Sequence, residues 1–225
     1  MDYLTDPGQD DRIKEIIFYK YPELNNGKKN LLYVPTFRDT DEDIALLNQA
    51  TDDLIKAVNY SEYNLIVKHH VVDSDLEEVY VDSHTNKKTG ESFIGMELMS
   101  VCDYVISDYS SIIYEALLKN RRVYLYCFDS DKYIDERGFY IDYEKDIPAL
   151  YSKTAKGICK LISDGNTVDE EKISAFKEDY VNKRFDSITS VYGEIIDELI
   201  KGEYDERYNY RNINLTLKVL NGEME

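Results

Sequence analysis

The sequence predicts an α/β fold: a parallel β-sheet with helices on both faces, followed by a helical C-terminal third. Three observations lead there. Short apolar runs alternate with helical stripes through the first 130 residues, the order that builds βαβ units. The runs are nearly continuous in apolar residues, as strands covered on both faces require. After Pro148 the apolar residues recur only at helical spacing.

In chain order, residues 1–30 form a lead-in, with a helix over Arg12–Tyr21 that stops at Pro22 and a turn at Asn25-Asn26-Gly27. Leu31-Leu32-Tyr33-Val34, closed by Pro35, is the first strand. Ile44, Leu47, Ala50, Leu54, Ile55 and Val58 then mark one face of a helix over Asp41–Val58. Leu65-Ile66-Val67 is a strand, Glu78–Asp82 a third short one, and Met96–Val101 a short helix. Tyr104-Val105-Ile106 returns to a strand, and Ile112, Ile113, Ala116, Leu117 and Leu118 give the next helix. Val123-Tyr124-Leu125-Tyr126 is a further strand. Helices are predicted over 149–163, 169–183 and 187–201, and from 203 the chain reads as a polar tail.

The 225 residues suit one large or two small domains, and 43% hydrophobic content is enough for a sizeable core. Lys and Arg number 27 against 45 Asp and Glu, a net charge of −18, which argues against a nucleic-acid binder. A small phosphorylated ligand stays open, because it needs only a local cluster of donors. The three cysteines, Cys102, Cys127 and Cys159, are odd in number and widely spaced in apolar surroundings, the pattern of buried thiols in a reducing compartment. No apolar run approaches the roughly 18 residues of a membrane span. The N-terminus has neither a basic nor an apolar signal region. The expectation is therefore a soluble cytoplasmic protein without a transmembrane segment, one that a partner could hold at the inner face of the membrane.

In open parallel sheets, ligands bind beyond the carboxyl ends of the strands. The residues that follow the predicted strands are Pro35-Thr36-Phe37-Arg38, Lys68-His69-His70, Ser107-Asp108-Tyr109-Ser110-Ser111 and Asp129, with Arg137-Gly138 further on. Serines between a strand and a helix either cap the helix or hold an anion at its first turn. Alternation along an extended segment puts Lys68 and His70 on one face and His69 on the other. That arrangement is either a surface pair or a proton-transfer group beside a cation. Arg38 either clamps a phosphate or pairs with a neighbouring carboxylate such as Asp39 or Glu42. The Asp-Ser-Asp triplets at 73–75 and 129–131 resemble the metal-binding Asp-x-Asp of some nucleotide-sugar transferases, but three-residue acidic matches are common in a chain with 45 Asp and Glu, and they read as solvated loop carboxylates. A zinc site finds no support: His84 is the one remaining histidine and no cysteine pair has ligand spacing. No Walker motif, GxGxxG or GxSxG is present.

Four blocks, in order, resemble the CDP-glycerol glycerophosphotransferase family of teichoic acid synthesis, over about residues 30–200. Leu32-Tyr33-Val34-Pro35-Thr36-Phe37-Arg38 is similar to the family's strand ending in Pro-Thr-aromatic-Arg. Val67-Lys68-His69-His70 resembles its Lys-Leu-His-Pro segment, with His70 at the histidine. Cys102 to Glu115 carries its Asp-Tyr-Ser-Ser block, and Phe128-Asp129, Tyr133 and Arg137 to Tyr143 follow at similar spacing. The resemblance implies a Rossmann-like domain over 31–202, the C-terminal, donor-binding half of a GT-B fold. The implied reaction moves glycerol phosphate, or a related polyol phosphate such as ribitol phosphate, from a CDP carrier to a hydroxyl of a lipid-linked acceptor, releasing CMP. It implies no covalent intermediate, and neither a cofactor nor a metal is expected. By the same resemblance His70 is catalytic, and Thr36, Arg38, Lys68, Asp108, Ser110, Ser111, Glu115 and Arg137 bind substrate.

Departures are Val71 in place of the family's proline, Glu115 where aspartate is frequent, and Pro148-Ala149 in place of Pro-Gly. The family's His-Gly motif, which belongs to its N-terminal half, has no counterpart here. The expectation is therefore a chain that binds donor without turning over alone, either a fragment of a longer enzyme or one of two split subunits that works with a separate N-terminal half. The alternative is a non-catalytic nucleotide-binding half or subunit lacking the acceptor domain.

Overall fold

The apolar run at Leu31–Val34 becomes the axis of the sheet. The computed structural model describes residues 7–69, 77–82, 86–88, 93–137 and 143–181, all within the unit Tyr3–Lys183. Its strands are β1 (Lys29–Val34), β2 (Tyr63–Lys68), β3 (Glu77–Tyr80), β4 (Asn86–Lys88), β5 (Tyr104–Ser107), β6 (Arg122–Tyr126) and β7 (Leu150–Ser152). They pair in the order β4-β3-β2-β1-β5-β6-β7. From β2 to β7 every pairing is parallel; β3 and β4 extend the β2 edge as antiparallel strands. The α/β class is the one the sequence predicts.

The helices are α1 (Pro7–Lys20), α2 (Asp41–Ala57), α3 (Gly95–Leu98), α4 (Ile112–Leu118), α5 (Ser130–Arg137), α6 (Tyr143–Asp146), α7 (Ala155–Ser163) and α8 (Glu170–Phe176). Strand residues alternate between two buried layers because successive side chains leave opposite faces. Leu32, Val34, Ile66, Val105, Val123 and Leu125 form one layer with Ile17, Leu98, Ile113, Leu117 and Phe176 from α1, α3, α4 and α8. Leu31, Tyr33, Leu65, Val67, Ile106 and Tyr126 form the other with Ala50, Leu54, Ile158 and Ile162 from α2 and α7. A fully buried leucine such as Leu54 contributes about 1.5–3 kcal/mol relative to an exposed one.

Buried amides fix the register at the amino edge. Asn64 sits opposite Asn30, and its Nδ2 donates to Asn30 Oδ1 at 2.7 Å. Asn30 Nδ2 in turn donates to the carbonyls of Leu24 and Val101 at 3.0 and 2.9 Å. A one-residue slip would leave these groups buried without partners.

The structure departs from the sequence reading at several elements. The stretch 149–163 is not one helix: β7 precedes α7, which starts where the Thr154 hydroxyl accepts the Gly157 N–H. Three strand residues are too short a run to show a period. The predicted helix over 169–183 is α8 followed by a π-helical turn at Lys177–Val181. The helices α5 and α6 and the strand β4 were not anticipated. Their mostly polar sequences, such as SDKYIDER, present no apolar stripe. The lead-in before β1 supplies Ile17, Tyr21 and Leu24 to the core. The stretch 187–201 and the tail from 203 lie outside the described residues. Cys102 and Cys127 are buried and Cys159 half-buried, and none is in a disulfide. Burial pushes the Cys159 thiol up to about 11, as expected for packing thiols. Among the described residues no helix is long and apolar enough to cross a membrane.

Candidate functional site

Connection geometry decides where a ligand can enter this sheet. From β1 the chain passes through α2, on one face, to β2; from β5 it passes through α4, on the other face, to β6. β1 and β5 are neighbours, and the chain leaves them to opposite faces: the topological switch point of a doubly wound sheet, the place beyond which such sheets bind ligands. Thr36 and Arg38 lie on the β1 loop, Asp108 to Ser111 on the β5 loop, and Asp129 on the adjacent loop after β6.

A hydrogen-bonded cluster ties these loops together. Asp108 is fully buried. Its Oδ1 accepts the Thr36 N–H at 2.8 Å, the Thr36 hydroxyl at 2.7 Å and the Tyr109 N–H at 2.7 Å. Its Oδ2 accepts Arg38 Nη2 at 3.0 Å. Burial pushes the Asp108 carboxyl above its ordinary value, and Arg38 and the Thr36 donors counter part of that effect. The carbonyl of Asp108 accepts the Tyr143 hydroxyl at 2.5 Å.

Arg38, only 5% exposed, is engaged along its whole guanidinium edge. Nε and Nη2 reach Asp129 Oδ2 and Oδ1 at 2.9 and 3.1 Å in a two-point pairing, and Nη1 donates to the Thr36 carbonyl at 2.7 Å. The rings of Tyr109, Phe128 and Tyr133 stand 5.6, 5.3 and 5.3 Å from its Cζ. Burial alone would lower the Arg38 pKa, but Asp108 and Asp129 raise it overall. The Tyr109 ring stacks on Tyr133 at 3.9 Å, and its hydroxyl donates to Asp129 Oδ1 at 3.1 Å.

The serines that follow are less constrained. Ser110 Oγ accepts the Ile112 N–H at 3.3 Å, so the capping expected of this pair is done by Ser110. Ser111 is exposed and its side chain makes no capping bond. Glu115, half-buried in α4, has its Oε2 without a hydrogen-bond partner among the described residues, and burial pushes its carboxyl up.

Lys68 ends β2 on the same edge of the sheet, opposite Glu77 in register, with Nζ 3.8 Å from Glu77 Oε2. Glu77 also accepts the Tyr21 hydroxyl at 2.8 Å and the Phe93 N–H at 3.1 Å. His69 faces the next residue, Glu78, at 3.6 Å, as alternation requires. His70 lies outside the described residues, as do Asp73–Asp75, His84 and the Arg137 side chain; the Arg137 backbone closes α5.

Thr36, Arg38 and Asp108 therefore meet directly, Ser110 and Ser111 continue the same loop, and Lys68 stands on the neighbouring strand end. Arg38 pairs with Asp108 and Asp129, not with Asp39 or Glu42. Asp129 was expected to be solvated; its side chain is 7% exposed and paired with Arg38. The available signal was its position directly after a strand. Asp131 of the same triplet is exposed and pairs with Lys153 at 2.7 Å. Among the described residues no cluster of three or more His, Cys, Asp or Glu could hold a metal ion.

Comparison with known proteins adds the family context. The CDP-Glycerol:Poly(glycerophosphate) glycerophosphotransferase family matches residues 1–189. The teichoic acid ribitol-phosphate primase of Bacillus spizizenii is 32% identical over 175 residues, 72% of this chain and 41% of the primase. The teichoic acid poly(ribitol-phosphate) polymerase of the same organism is 28% identical over 211 residues, 91% of this chain and 33% of the polymerase. Among solved structures, the wall teichoic acid polymerase TagF superposes with a TM-score of 0.59 at 23% identity, covering 90% of this chain and 50% of that one. The likeness shows a shared fold, half of a GT-B architecture. The chain thus spans a third to a half of the lengths of these relatives.

Proposed function

This chain belongs to the CDP-glycerol:poly(glycerophosphate) glycerophosphotransferase family, and on that premise we propose that it is the donor-binding half of a polyol-phosphate transferase. The donor is CDP-glycerol or a related CDP-polyol such as CDP-ribitol. The acceptor is a hydroxyl of a lipid-linked polymer of the teichoic acid type. The observation that supports this reading best is the cluster at the switch point, where the β1 and β5 loops are held together by Asp108 with hydroxyl donors alongside.

The reaction is a single displacement at phosphorus. The acceptor oxygen forms a bond to the phosphorus of the transferred group, the bond to the bridging oxygen breaks, and CMP leaves with that electron pair. The acceptor proton passes to a base, a role His70 or a group of the complementary half would fill. Such a step depends on position and on stabilising the charge of the leaving phosphate. Ser110 and Ser111 would donate to the phosphates, with Lys68 and Arg137 as counter-charges. Glu115 would accept from a hydroxyl of the donor. Thr36 and Arg38 complete the wall of the site.

The test is release of CMP from CDP-glycerol by the full chain, alone and mixed with the N-terminal half of a relative such as the ribitol-phosphate primase. Acceptor-dependent release in the mixture, weakened by Ser110→Ala with Ser111→Ala, is expected. Donor binding without release in any mixture would replace the transferase reading with a non-catalytic nucleotide-binding half.

A further inference from the structure

The sequence leaves Arg38 between clamping a phosphate and pairing with a carboxylate, and its geometry fits the second. Nε, Nη1 and Nη2 all donate within the protein, to Asp129, to the Thr36 carbonyl and to Asp108. Two carboxylates face this one guanidinium inside a closed aromatic surround. A diphosphate would have to displace a two-point carboxylate pairing to reach it, and would meet two like charges on arrival. The same contacts join three strand ends. Asp129, after β6, holds Arg38 from the β1 loop and the Tyr109 hydroxyl from the β5 loop; Asp108 closes the ring through the Thr36 and Tyr109 amides.

We infer that Asp129 is a positioning residue: through Arg38 and the Tyr109 hydroxyl it sets the Tyr109–Ser111 segment against the β1 loop, and Arg38 is a strut between loops, not a phosphate ligand. The inference rests on the donor-site reading for its consequence, but the positioning itself can be tested without a donor. Deletion of a supporting contact of this kind misplaces the reacting groups without removing any of them.

The experiment uses the full chain and Asp129→Asn, which keeps the shape of the side chain and removes its charge. In the ligand-free protein, hydrogen exchange is followed at the Thr36 and Tyr109 amides, both donated to Asp108. Exchange should quicken there while the β1, β5 and β6 amides stay protected. Unchanged exchange at the two loops, or a uniform rise across the sheet, overturns the inference. If Asp129→Asn does not fold, Arg38→Lys, which keeps the charge but loses the two-point fork, gives the same readout.

Calorimetry with CDP-glycerol adds a test by sign. A positioning role predicts affinity lower by roughly tenfold or more in Asp129→Asn. A direct Arg38–phosphate contact predicts affinity unchanged or higher, since a competing carboxylate has gone, and that outcome overturns the strut. A wild-type chain that binds no CDP-glycerol counts against the donor-site reading, and the exchange pattern then decides the positioning inference by itself.

Discussion

At the residue scale, the buried cluster behaves as a unit whose members cannot be removed one at a time. Arg38→Met leaves Asp108 and Asp129 in a site with no cation between them. The expected cost is about 3–5 kcal/mol, read as a lower urea midpoint. Replacing Asp129 with leucine in that background should restore part of it, because one uncompensated charge goes. The sequence made Arg38 and Asp108 visible through position alone, since each follows a predicted strand at the carboxyl edge. It did not show that they bond to one another. They are 70 residues apart, and which of 45 carboxylates meets a given arginine is settled only by strand order. Asp129 was hidden for the same reason, in a triplet whose other aspartate is indeed exposed.

At the element scale, α2 shows how much of the fold is local. Thr40 caps it, its hydroxyl accepting the Asp43 N–H at 3.2 Å and donating to Asp43 Oδ2 at 2.6 Å. Three acidic residues occupy the first turn, where the helix dipole favours them. Lys132 of α5 donates to the same Asp43 at 2.6 Å, so the cap also ties the β1 loop region to the loop after β6. Thr40→Ala should cost about 1 kcal/mol, measured by thermal or chemical unfolding. Elements with strong periods, such as α2, β1, β5 and β6, are legible within a residue or two. β7 and α5 were not. β7 is three residues long and starts two residues after Pro148, and α5 is held by polar contacts from Ser130 and Lys132 more than by an apolar stripe. Such elements exist because their neighbours give them partners, and single-sequence patterns contain no record of neighbours.

At the scale of the whole molecule, tyrosine makes the core sensitive to alkali. Burial, with the nearby Tyr104, pushes Tyr124 up to about 12; burial, with the nearby Asp53, does the same for Tyr126. An unfolded tyrosine titrates near pH 10, so above about pH 10 the unfolded chain releases protons that the folded chain retains. The stabilising contribution of these phenols is therefore intact below about pH 10 and lost as pH rises towards 12. The loss runs at about 1.4 kcal/mol per pH unit for each tyrosine. Urea midpoints at pH 8 and pH 11 should differ in that direction; equal midpoints would mean the phenols titrate alike in both states.

Also at this scale, the parallel sheet places its switch point at the carboxyl ends of β1 and β5, where the proposed cytidine-nucleotide site lies. Isothermal calorimetry of the full chain with CDP-glycerol, beside CMP and UDP-glucose, tests this most directly. Both cytidine ligands should bind, UDP-glucose little or not at all, and Ser110→Ala with Ser111→Ala should markedly weaken CDP-glycerol. Equal binding of the uridine sugar, or cytidine binding indifferent to both serines, would contradict it.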